Sequence, residues 1–262
     1  MLDEPYRWIE AINDRRDYIE DQLRPGSPVV GLSYDDGMLL LTVGRGQRKI
    51  FEVHNRTVLA AIGHTAYIEE LRMLATDTAS VQGFQNSVDD VTLHRLANFV
   101  LSPTIKQAFE TIFGSAPIIK VLLAELGTHG RDNQLISINY DGTVAANRYA
   151  QMIAGTEAIE AIMHRYLSHA QADDNTLMSS IRLALETWAV GRHLSLHKDD
   201  KADSGEDVEV DMSREHAHEL LHKELEDGEI EAAVLDLKRR SKTKFRALSP
   251  EEIATVTSGW LQ

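Results

Sequence analysis

Residues 28–63 contain four short apolar runs, "PVVGLSY", "MLLLTV", "RKIFEV" and "TVLAAIG", separated by "DDG", "GRGQ" and "HNR". Each run is too short for a stable helix, and the separators supply turn chemistry, so the segment reads as consecutive strands joined by hairpins. "MLLLTV" is apolar at both odd and even positions. A strand of that kind is buried on both faces, which requires its sheet to lie inside the protein with another layer on each side.

The remainder of the chain supplies those layers. Residues 66–82 and 88–113 carry helix-spaced apolar side chains, and Pro103 is expected to kink or break the second stretch. Strands return at "PIIKVLLAELG", "NQLISINY" and "TVAANRYAQMIA", with Asp141-Gly142 as a hairpin turn. Helices are expected over 155–168 and 173–190. After an acidic stretch come "EIEAAVLDL", a turn at "KRRSKT", "KFRAL", and a last helix capped at Ser249 with Pro250 and Glu252 behind it. A leading helix starts near Asp3 and Pro5 and ends at "RPG" (24–26); its apolar stripe of Trp8, Ile12, Ile19 and Leu23 is thin, as suits a surface or a neighbouring subunit. The order of strands, paired helices, strands, paired helices and strands argues an α+β fold, with two antiparallel sheets packed face to face and helices outside each.

Charge separates one region from the others. The formal net charge is −14. Residues 199–231 contain 14 acidic and 3 basic residues, a net of −11, and the other 27 acids and 24 bases leave −3. This predicts a sandwich domain over 27–190 and 228–262, a leading segment over 1–26, and an acidic insertion over 191–227. No basic stripe suggests a nucleic-acid partner. The absence of cysteine removes disulfides and thiolate sites. No apolar run has membrane-spanning length, and the charged N-terminus is unlike a secretory signal. A soluble, cytoplasmic protein with no cofactor is expected.

Four stretches resemble a known family: "GSPVVGLSYDDGMLLL", "RKIFEVHNRTVLAAIGHTAYIEELR", "INYDGTVAANRYAQMIAGTEAIEAIMHRYL" and "EIEAAVLDLKRRSKTKFRALSPEEI". Together they are similar to α-type subunits of the 20S proteasome, in particular the bacterial ones. The likeness covers most of residues 4–190 and 228–255, and the leading helix also belongs to the α type. The resemblance implies the four-layer αββα sandwich of N-terminal-nucleophile hydrolases. It further implies a non-catalytic role in a heptameric outer ring that gates substrate entry. The implied partners are neighbouring α subunits, proteasome β subunits, and a regulatory ATPase ring or activator.

Within the resemblance, Ser27 aligns with the catalytic hydroxyl residue of β subunits and Lys49 with their activating lysine. Such a nucleophile uses its own α-amine as base, so Ser27 would serve only after cleavage behind Gly26. The acidic partner of the β type falls at Val43 and the hydroxyl partner near Ala154, neither of which can do that chemistry. A self-processed peptidase using Ser27 is therefore the alternative to a strand-leading serine. For α subunits the resemblance assigns Lys49 to a pocket that receives a regulator's C-terminal carboxylate, and Gly63 to its wall. His64 stands where the family commonly has an apolar residue.

A further candidate is "HELLH" at 218–222, a formal match to the zinc-peptidase pattern. His218 and His222 lie one helical turn apart, with His216 nearby. A catalytic zinc needs a third protein ligand, and His222 is the last histidine of the chain. The same residues read as an exposed amphipathic helix, "SREHAHELLHKELE", capped by Ser213 with Leu220, Leu221 and Leu225 as its apolar side.

Overall fold

The computed structural model describes residues 4–111, 114–128, 130, 132–170, 174–197, 214–258 and 260. The expected helix start at Asp3, the proposed cap Ser213 and the centre of the acidic stretch, 198–213, lie outside the described residues.

The four opening runs form β1 (Val29–Tyr34), β2 (Gly37–Gly44), β3 (Ile50–His54) and β4 (Thr57–Gly63). Helix α2 (Thr65–Gln85) follows. The expected helix over 88–113 is broken. A 3-10 turn (Val88–Asp90) precedes α3 (Leu93–Leu96), and a π turn (Ala97–Leu101) leads into α4 (Ser102–Glu110) with Pro103 in its first turn. Pro103 has no N–H to donate, and the wider turn before it takes up the mismatch, with Ser102 N donating to Ala97 O.

Strands β5 (Ile119–Glu125), β6 (Gln134–Ile138), β7 (Val144–Asn147) and β8 (Ala150–Ile153) follow, then α5 (Glu157–His169) and α6 (Leu177–Leu196). The chain closes with α7 (Arg214–Leu225), β9 (Glu229–Asp236), β10 (Phe245–Ala247) and α8 (Pro250–Thr257). The run "TVAANRYAQMIA" is two strands, not one. β7 pairs with β6 and β8 with β1, in different sheets. The Asn147 side chain accepts from Tyr149 N and turns the chain between them.

One sheet has the order β10-β9-β2-β1-β8 and the other β3-β4-β5-β6-β7, with antiparallel pairing throughout. Met38 and Leu40 of β2 enter the core between the sheets, whereas Leu39, Leu41 and Val43 pack with α5 and α6. The two-faced burial read from "MLLLTV" is thus met by two different layers. The other sheet carries α2, α3 and α4 on its outer face through Leu59, Val121, Ile68 and Leu101. Gly31 permits close approach of the sheets, since a Cβ there would lie 2.9 Å from Leu135 Cδ2.

Helix α1 (Glu4–Leu23) is more than a surface element. Ile19 and Leu23 are fully buried in the inter-sheet core, and Arg15 donates to the carbonyls of Ala108, Gly114 and Ser115. Trp8 and Ile9 on its early turns, and Tyr18 further along, are more than half exposed.

The expected insertion boundary at 191 falls inside α6, where Gly191, Leu194 and Ser195 are buried. On the other flank α7 buries Ala217 and Leu221 in the core that contains α6. The helix carrying "HELLH" is therefore packed on the body and not an exposed arm. Among the described residues no helix is long and apolar enough to cross a membrane.

Candidate functional site

Ser27, Lys49 and the end of β2 meet at one edge of the sandwich. They line a cleft of about 260 Å³ with Pro25, Arg45, Arg192 and Glu224. The site starts from backbone pairing: Lys49 directly precedes β3, and its carbonyl accepts from Ala61 N at 3.1 Å. The Lys49 ammonium reaches across the cleft and donates to Ser27 O at 3.2 Å. Among the described residues no carboxylate lies within 4.0 Å of it.

A carboxylate is close by, but it is committed elsewhere. Glu231 of β9 accepts from Lys49 N at 2.9 Å and from Ile50 N at 2.9 Å, joining the two sheets through the start of β3. Burial raises the Glu231 pKa against the opposing effect of those amides and of Arg48 and Lys49. Burial likewise lowers the Lys49 pKa to about 8, with Glu231 opposing the shift and Arg192 adding to it. An ammonium has three donors, and one is used. The remaining two face a cleft open to solvent, a geometry suited to an entering anionic oxygen.

The Ser27 hydroxyl has a different set of partners. It donates to Val43 O at 2.5 Å and accepts from Trp188 Nε1 at 2.9 Å, with Thr42 Oγ1 at 3.2 Å. Thr42 in turn donates to Pro28 O at 2.7 Å. Lys49 contacts the Ser27 carbonyl, whereas activation of a nucleophile would require a base on the hydroxyl. The hydroxyl thus fastens the entry of β1 to β2 and α6.

Gly63 ends β4, two residues beyond the Lys49 partner Ala61, and does not line the Lys49 cleft. Its φ is 127°, and an added Cβ would lie 2.1 Å from Ile118 O. The absence of a side chain is therefore required by the chain's own fold. His64 caps α2 by accepting from Ala66 N.

The two histidines of "HELLH" are dissimilar. His222 is exposed, whereas His218 is half-buried with its ring 4.4 Å from that of Trp260, and its Nε2 has no hydrogen-bond partner among the described residues. No group of three or more metal-ligating side chains is found among the described residues. Glu231, Arg192 and Glu224 were not singled out from sequence. They lie 143 to 182 positions from Lys49, and no local spacing joins them.

Residues 24–210 match the family model for proteasome subunits. The chain belongs to the proteasome subunit family. The proteasome subunit alpha of Kineococcus radiotolerans is 28% identical over 254 residues, covering 95% of each chain. That of Thermomonospora curvata is 28% identical over 213 residues, covering 79% of this chain and 87% of the relative. That of a Nocardioides species is 27% identical over 252 residues, covering 93% and 84%. With α subunits as its relatives, this proteasome subunit is of the non-catalytic α type.

Proposed function

We propose that this proteasome α subunit controls substrate entry into a cytoplasmic core particle and docks the regulator that opens it. In this reading it forms a heptameric outer ring with copies of itself, stacks on β subunits, and uses the residues before α1 to narrow the axial pore. The exposed Trp8 and Ile9 on the early turns of α1 suit packing against a neighbour.

Docking would proceed through the C-terminal carboxylate of an ATPase ring or activator entering at Lys49; Gly63 lies outside that cleft, and its part in docking is carried by the family resemblance alone. The observation that carries this reading is a largely buried ammonium at the edge of an open cleft, whose one hydrogen bond among the described residues goes to the Ser27 carbonyl. A chain-terminal carboxylate would restore the lost solvation and use the free donors. In a particle assembled with its β subunits, Lys49→Ala is expected to cut regulator-stimulated proteolysis at least about tenfold, the scale of one lost charge-assisted contact. Full stimulation in that variant would overturn the docking role.

A further inference from the structure

The Lys49 cleft holds a second cation, and this one is already occupied. Arg192 of α6 lies with its Nε 3.2 Å from Glu224 Oε1 of α7, and its Nη1 donates to Pro25 O at 3.0 Å. Both charged side chains are mostly buried, 14% and 13% exposed, and both line the cleft. The Arg192 Nε–H is buried without an aligned hydrogen bond, so the pair is held by charge and not by a linear donor–acceptor contact. Glu224 also occupies the last turn of α7, where the helix dipole disfavours a carboxylate. Helix geometry gives no reason for an acid there, and Arg192 does.

We infer that Glu224 is a resident competitor of the cleft: its carboxylate holds the place on Arg192 that an entering carboxylate would take, and so sets the cleft's affinity for chain-terminal anions. The inference rests on the docking reading above. Its physical content is a charge balance. Glu231 is committed to the Lys49 and Ile50 amides, so among the described residues Glu224 is the one acidic side chain lining the cleft with Lys49, Arg192 and Arg45. A ligand carboxylate can join Lys49 freely, but it gains Arg192 only by exchange with Glu224. Exchange keeps the arginine paired throughout, so the desolvated guanidinium is never left alone.

The experiment is a binding titration of fluorescein-labelled tetra-alanine with a free C-terminal carboxylate, against the same peptide amidated, on the assembled full-length subunit. Glu224→Gln keeps the side chain's shape and removes its charge. It is expected to tighten binding of the carboxylate peptide about fivefold or more, to leave the amide unchanged, and to lose this effect in an Arg192→Gln background. If Glu224→Gln leaves carboxylate affinity unchanged or weaker while Lys49→Ala still removes the preference for carboxylate over amide, the competitor role is overturned and docking at Lys49 stands. If the preference survives Lys49→Ala and ignores Glu224→Gln, the docking reading and this inference fall together.

Discussion

Two lysines of the same sheet carry opposite arrangements. Lys120 on β5 is 1% exposed, and its ammonium lies 2.8 Å from Glu160 on α5. Lys49, just ahead of β3, is also largely withdrawn from water, yet it has only a carbonyl to donate to and faces a cleft. The nearest acid to Lys120 is spent on charge, with a second bond from Ala154 N, whereas the acid nearest Lys49 is spent on backbone amides. A buried lysine that is sealed and paired holds layers together. One that is desolvated, unpaired and reachable keeps its binding capacity in reserve, at a cost in stability.

The sharpest way to break this contrast is to remove each charge. Lys120→Met strands the Glu160 carboxylate inside the protein, and the expected loss is roughly 3–5 kcal/mol in thermal or denaturant unfolding. Lys49→Met removes an ammonium with no carboxylate to abandon, so stability should move by less than about 1 kcal/mol or rise. Equal losses in the two variants would show that the lysines do the same structural work.

Titration sharpens the contrast at Lys49 alone. Its pKa of about 8 in the fold lies below the ordinary 10.5. Between those values the unfolded chain binds more protons than the folded one, so the Lys49 contribution to stability rises with pH across that window. Carboxylate binding must do the reverse, weakening by up to about tenfold per pH unit above 8 as the ammonium is lost. Peptide titrations and denaturation midpoints from pH 7 to 9.5, each compared with Lys49→Met, should show the two trends with opposite sign. Binding that stays flat over this range would separate Lys49 from the carboxylate.

The sequence made the frame of the fold readable because that frame is local. "DDG" and Asp141-Gly142 sit at real hairpins, "MLLLTV" reports two buried faces, and Ser249 with Glu252 forms the expected capping box. The division of "TVAANRYAQMIA" escaped detection because the crossing between sheets takes only Arg148 and Tyr149, with no glycine or proline to mark it. At the site, position was legible and environment was not. Lys49 and Ser27 were identifiable from the resemblance, but the commitment of Glu231 to backbone amides, which leaves Lys49 unpaired, is a contact across 182 positions. Gly63 shows the same limit: a glycine that the resemblance explains by a partner's approach is also required by Ile118 O within the chain.

The smallest effect on activity is expected at Ser27, where it separates hydroxyl from carbonyl. Lys49 uses the Ser27 carbonyl, which any residue at 27 supplies, whereas the hydroxyl serves Val43 O and Trp188 Nε1. Trp188 is fully buried, so Ser27→Ala leaves its indole N–H without this acceptor, a cost of about 1–2 kcal/mol in unfolding. Peptide hydrolysis by the assembled particle should change less than twofold, and the carboxylate preference at Lys49 should persist. Loss of hydrolysis in a variant that still assembles would instead make Ser27 a nucleophile. The cleft would then be an active site lacking its usual acid, and the reserve in Lys49 would be for activating a hydroxyl and not for receiving a partner.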